Sequence, residues 1–198
     1  MDAAIALARR LTRLGLWFGG ALVLAAAVLI GVDVTLRKLF NASLGGADEL
    51  AGYALALGTA WSLGATLLDR GHIRIDSLYA LFPRWLRLAL DFAGLALLIA
   101  FFGLIARHGW SVVQQSWVSG SRSQSALATP TVIPQSVWLL GLALFFAVGI
   151  LLAVYALTLI ARGKPAAAEH AISTRSAAEE VEEEIRDLKD REPEGAGH

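Results

Sequence analysis

The chain has 198 residues, 56% of them hydrophobic and only 17% charged, against about 25% charged in soluble domains. A formal net charge of zero hides a basic body and an acidic end: residues 1–162 carry 12 Lys/Arg against 7 Asp/Glu, residues 163–198 carry 5 against 10. Cysteine is absent, which excludes disulfides, thiol catalysis and thiolate metal sites and leaves the compartment open.

Arg9, Arg10 and Arg13 precede an apolar run that extends to about Leu36. That is longer than the 7–15-residue core of a signal peptide and has no convincing cleavage site, so it reads as a retained first span, about Leu14–Leu36. The second, Leu50–Leu68, is uncharged, with Asp48-Glu49 at its entrance and Asp69, Arg70, His72, Arg74 and Asp76 at its exit. Crossing hydrocarbon takes roughly 20 apolar residues, and a central charge costs about 2.5–3.5 kcal/mol on insertion scales. Third and fourth spans follow at about Leu88–Ala106 and Ser136–Ala161. Helices are expected throughout, because lipid cannot satisfy an open backbone. The fold class is therefore all-α, an integral membrane protein of four transmembrane helices.

Nine Lys/Arg flank the N-terminus, the second connection and the start of the tail, against four in the first and third connections. The positive-inside rule then places both termini in the cytoplasm. Within the second connection, Asp76 to Phe82 reads either as a short interfacial helix ending at Pro83 or as a loop against the bundle. In the third, Gly109 to Val118 continues the third helix, Ser119 to Ser125 is a Ser/Gly-rich loop, and Pro134 sits in the first turn of the fourth helix. Residues 163–198 form an acidic cytoplasmic tail, partly helical or disordered: Ala166–Ala168 reads as flexible, and Ser176 to Arg191 has helical spacing but too few apolar anchors for a core.

Ionisable groups deep in a span would suggest a transport path. Only Asp33 and Asp91 lie in apolar runs, both near an end, with Arg37 and Arg87 four residues away. Each reads as a local ion pair or as a contact to another subunit's helix. No histidine lies deep in a span, so a haem anchor lacks its usual axial ligands. Ser62 has no base at membrane depth, and no phosphate loop is present. No catalytic residue, cofactor, metal or nucleic-acid partner is expected. Gly52, Ala56, Ala60 and Gly64 form a small-residue row on the second span, and Gly15 and Gly19 open a similar one on the first; such rows let helices approach closely, within the chain or across a subunit boundary. Trp61 at mid-span calls for a partner for its indole N–H. Asp48 and Glu49 suit the positive end of their helix and its exposed N–H groups; whether one also meets a partner's cation stays open. The same holds for Arg70, His72, Arg74 and Asp76, read as a membrane anchor or partner surface.

At these residues the chain resembles the small transmembrane subunit of tripartite ATP-independent periplasmic (TRAP) transporters. The resemblance rests on Asp48-Glu49-Leu50, Leu63-Gly64-Ala65, Gly71-His72-Ile73-Arg74-Ile75-Asp76, Phe82-Pro83 and Ile133-Pro134 with Trp138 just after, and covers about residues 10–162. The fourth span lacks the Pro-Leu-Gly often found in the family, and the acidic tail lies outside its pattern. The resemblance implies a scaffold subunit in a bacterial inner membrane. It would serve ion-coupled uptake of an organic anion with a large permease subunit, the lipid bilayer around both, and a transiently bound periplasmic solute-binding protein. The alternatives are an anchor subunit of another complex, such as a redox enzyme, or a small stand-alone channel or exporter.

Overall fold

A computed structural model describes residues 2–71 and 82–173, together with 181, 184–186 and 188. His72, Arg74 and Asp76, and the stretch from Asp76 to Leu81 of the expected interfacial helix, lie outside the described residues. Among the described residues, helices run in the order α1 (Asp2–Phe40), α2 (Ala47–Leu68), α3 (Arg84–Ser119), α4 (Val132–Ala161) and α5 (Pro165–Ile172). The first four are long and apolar enough to cross a membrane, and no strand occurs among the described residues. The 39 residues of α1 and 36 of α3 measure about 58 and 54 Å at helical rise, well beyond a hydrocarbon core of about 30 Å. The apolar run thus marks the lipid-embedded part, and the helices continue past it.

Packing order differs from chain order. α1 lies on α2, α2 on α4, and α4 on α3, so α4 stands between the sequence neighbours α2 and α3. In their most apolar stretches the central α2 and α4 bury 39% and 33% of positions, the flanking α1 and α3 17% and 11%. The flanks keep large side chains outward, among them Leu14, Trp17 and Leu24 of α1 and Leu97, Phe101 and Leu104 of α3. Lipid tolerates such a surface; water would not.

The α1–α2 seam follows a 4-3 spacing on both helices. On α1 the buried positions are Ala8, Thr12, Gly15, Gly19, Ala26 and Asp33, with Leu22 and Leu29 half-buried between them. On α2 they are Ala47, Ala51, Ala54, Gly58 and Ala65, with Trp61 half-buried, and Gly64 beside Ala65 also meets Thr12 of α1. A repeat of 3.5 residues keeps one stripe facing its partner along the whole contact. At its centre the backbones nearly touch: a Cβ on Gly19 would stand 2.8 Å from the Gly58 carbonyl oxygen.

The helices are also stepped. Leu67, near the end of α2, lies beside Gly149 of α4, and α4 runs on to Ala161. There the chain reverses through Gly163 (φ 71°), with Gly163 N–H donating to Ile160 O and Lys164 N–H to Leu159 O, both at 2.9 Å. This is the paired-bond helix stop that favours glycine. α5 then folds back along α4, with Ala156 and Ala168 wholly buried, and Ile172 packs on a cluster containing Leu67 and Leu152. The Ala166–Ala168 stretch, expected to be flexible, is helical because the space below α2 gives its alanines something to cover. Of the expected tail helix, Val181, Glu184–Arg186 and Leu188 are helical.

Candidate functional site

Two polar clusters close the bundle, one at each end. At the end bearing the α1–α2 and α3–α4 connections, Asp33 is 2% exposed and organises the first turnaround. Its carboxylate accepts from Leu44 N–H at 2.7 Å and Ser43 Oγ at 3.0 Å, and pairs with Arg37 at 2.5 Å. The Asp33–Arg37 pair expected from spacing is present. Its larger role, fastening residues 43 and 44, was invisible in the helix pattern alone.

One turn into α2, Glu49 fastens the other connection. It accepts from Tyr53 Oη at 2.7 Å, from Ser123 Oγ at 3.0 Å and from Ser125 Oγ. Ser123 in turn accepts from Thr129 N–H at 2.9 Å, so one carboxylate orders the 123–129 loop. Asp48 behaves differently: its side chain is 88% exposed and lies 3.8 Å from Arg37. Neither acid caps α2, whose cap residue is Gly46 without a side-chain bond; both still lie at the positive end of the helix dipole.

At the opposite end, Arg70 takes the left-handed conformation (φ 59°) in the stop that ends α2, with Gly71 N–H donating to Thr66 O at 2.9 Å. Glycine is the usual residue there. Arg70 instead sends its guanidinium to α5, donating to Ser173 O at 2.6 Å and Ser173 Oγ at 2.8 Å and meeting His170 Nε2 at 3.4 Å. Arg87 of α3 reaches Glu169 of the same short helix at 3.4 Å. Two arginines, Arg70 just past the end of α2 and Arg87 on α3, therefore hold α5 in the step beneath α2. Asp91, one turn along from Arg87, is 5% exposed.

The row Gly52, Ala56, Ala60 and Gly64 divides. Ala60 and Gly64 face inward: a Cβ on Gly141 of α4 would stand 3.1 Å from Ala60, and one on Gly64 would stand 2.8 Å from Thr12 of α1. Gly52 and Ala56 are exposed, and no described residue lies within 4 Å of a Cβ at Gly52. The backbone contact with Gly19 of α1 uses Gly58 instead, which a period of four passes over and the 4-3 spacing from Ala47 would have found. Trp61 finds its partner in Val137 O at 3.0 Å and stacks edge-on with Phe18, ring centroids 5.6 Å apart. Ser123, Ser125, His170 and Ser173 left no signal in the sequence, since each meets its partner only through the tertiary fold.

Among the described residues no three His, Cys, Asp or Glu side chains come together as a metal site. The arrangement offers apolar surface, close helix contacts and two internal clamps. No curated protein and no solved structure matches the chain. A family model described as the DctQ component of tripartite ATP-independent periplasmic transporters matches residues 26–159, from the middle of α1 to the last turn of α4. The chain belongs to that family of transporter components and is a multi-pass membrane protein.

Proposed function

We propose that the chain is the small scaffold subunit of a TRAP transporter, without catalytic activity. It works with a large permease subunit and a periplasmic solute-binding protein to take up an organic anion, a dicarboxylate or another carboxylate, by ion-coupled secondary transport. It sits in the bacterial inner membrane with both termini cytoplasmic, as the distribution of Lys and Arg suggests. In this orientation Asp33, Asp48 and Glu49 face outward, and the Arg70 clamp faces the cytoplasm.

The observation that carries the scaffold reading is the fate of Asp33. A carboxylate buried in an apolar helix is a transport-path candidate by default, yet this one is bonded by the chain's own Arg37, Ser43 and Leu44. Exposed Asp48 and Gly52, one turn apart on α2, are the positions we assign to the permease contact. Ala60 and Gly64 support that face from within. Arg70, with His72, Arg74 and Asp76 beside it in sequence, anchors the cytoplasmic end.

Affinity purification in mild detergent from cells co-expressing a cognate large permease should recover a stable complex. Recovery of this chain alone would sink the reading. Replacing Arg70, His72 and Arg74 together should impair insertion or assembly; normal assembly with altered substrate choice would show that this end touches the cargo.

A further inference from the structure

Arg37, Arg70, Arg87 and Arg122 are each bonded to other described residues of the chain. Arg9, Arg10 and Arg13 near the start of α1 are exposed, and among the described residues their side chains have no ion pair or hydrogen bond. Asp69 does not neutralise them: Gly64 lies on Thr12 and Gly58 on Gly19, which brings the end of α2 to their level, yet Asp69 forms no ion pair there.

Their height in the membrane follows from the length of the apolar run. The 19 residues from Leu14 to Val32 are uncharged and span about 28 Å at helical rise, close to the roughly 30 Å of a hydrocarbon core. Arg13 therefore stands at one edge of the hydrocarbon and Asp33 at the other. Arg10, Arg13 and Trp17 follow at helical spacing, and Arg9 is one turn from Arg13, so cations and indole share a face. Gly20 and Leu24 continue that face into the apolar layer. Trp17 is 74% exposed and Leu24 68%, and no described residue lies within 4 Å of a Cβ at Gly20.

We infer that this face of α1 binds an anionic phospholipid of the bilayer, with its phosphate on Arg10 and Arg13 and one acyl chain along Gly20 and Leu24. Charge complementarity carries the assignment. Guanidiniums without a protein partner at the membrane edge match a phosphodiester, which they can hold through two parallel N–H bonds, and Arg9 adds a third positive charge beside them. Trp17 stands at the same level, where indoles settle among headgroups. Net charge decides between lipids: the phosphate of phosphatidylglycerol is unbalanced, whereas that of phosphatidylcholine is balanced by its own ammonium. The inference uses only the first span and its charges, so it is independent of the transporter reading and of which way the chain faces.

The test is native mass spectrometry of the full chain released from nanodiscs of equimolar phosphatidylglycerol and phosphatidylcholine. The wild-type chain should retain phosphatidylglycerol over phosphatidylcholine. Arg10→Gln with Arg13→Gln should lower that retention about tenfold or more. Arg162→Gln with Lys164→Gln removes the same charge from exposed positions at the same end of the bundle, and should lower it little. Equal losses in the two double variants would mean a diffuse attraction and overturn the site, as would a wild-type chain without preference. Should the glutamine pair fail to insert, Arg10→Lys with Arg13→Lys keeps the charges that orient the span. It should retain the lipid less well than the wild type, because lysine lacks the guanidinium fork; undiminished retention would overturn the phosphate contact. If Arg10→Gln with Arg13→Gln keeps the lipid preference but loses the co-purified permease, these arginines meet a protein carboxylate and the lipid assignment fails.

Discussion

Trp61 and Val137 are joined by a 3.0 Å hydrogen bond from the indole N–H to a backbone carbonyl, linking the middle of α2 to the first turns of α4. The same indole stands edge-on to Phe18 of α1, and Gly15 and Gly141 leave room for it: a Cβ on Gly15 would meet the Trp61 carbonyl oxygen at 2.8 Å, and one on Gly141 the indole Cδ1 at 2.9 Å. One side chain thereby sets the spacing of three helices. In lipid, where no hydrophobic force draws helices together, such packing and interhelical bonds carry association.

Trp61→Phe should lose the hydrogen bond while keeping most of the ring volume, lowering stability by about 1 kcal/mol. Trp61→Ala should lower it by about 3–5 kcal/mol, as large cavities do. Unfolding by denaturing detergent, followed by circular dichroism, would measure both. Equal effects would mean that packing contributes nothing here.

Gly19→Ala should weaken the α1–α2 seam by about 1–3 kcal/mol, because the new methyl group meets the Gly58 carbonyl. Gly20→Ala, one residue along and facing open space, should be neutral or stabilise the helix by up to about 1 kcal/mol. The same unfolding measurement separates the pair, and a reversed order would place the seam elsewhere.

Glu49→Ala should free the 123–129 loop. Bonds to a charged acceptor contribute about 1.5–3 kcal/mol, so tryptic cleavage after Arg122 should accelerate about tenfold or more. Asp48→Ala, at an exposed side chain, should leave the cleavage rate unchanged. Timed digestion in detergent with mass analysis reads both variants.

Truncation after Ser173 should leave the thermal midpoint of the purified chain unchanged, whereas truncation after Gly163 removes α5 and should lower it by several degrees. Arg70→Ala should mimic the longer deletion. Arg70→Gly loses the same clamp but relieves the left-handed backbone, and should be less damaging by about 1 kcal/mol. If Gly and Ala behave alike, backbone strain at this turn is negligible.

Gly52→Leu should lower recovery of the large permease with this chain while leaving the chain's own melting unchanged, since no described residue lies within 4 Å of a Cβ at Gly52. Full recovery would move the permease contact to another face.

Local patterns announced the elements reliably. The apolar first helix, the Asp33–Arg37 pair, the continuation of α3 past residue 109 and Pro134 near the start of α4 all follow from hydropathy, i,i+4 spacing and proline chemistry, which act within a few residues. The small-residue row was half legible, because both 4-4 and 4-3 spacings run along α2 and only the partner helix decides which is used. Glu49 looked like a helix-end acid; its bonds to Ser123 and Ser125 span 74 and 76 residues.

The sequence by itself determined that this is a four-span helical membrane protein, because the length and purity of an apolar run fix the solvent and lipid forces the backbone to bond within itself. It also carried the family in its Gly71–Asp76 block and the neighbouring motifs. Tertiary structure alone decided that α4 stands between α2 and α3. Folding alone also showed that Gly58 rather than Gly52 or Ala56 takes the close contact, and that the start of the acidic tail returns to fill a step. Those outcomes depend on which helix ends at which level against its neighbours. Arg70 and Ser173 are 103 residues apart in the chain, and they meet only because α2 stops short where α4 runs on.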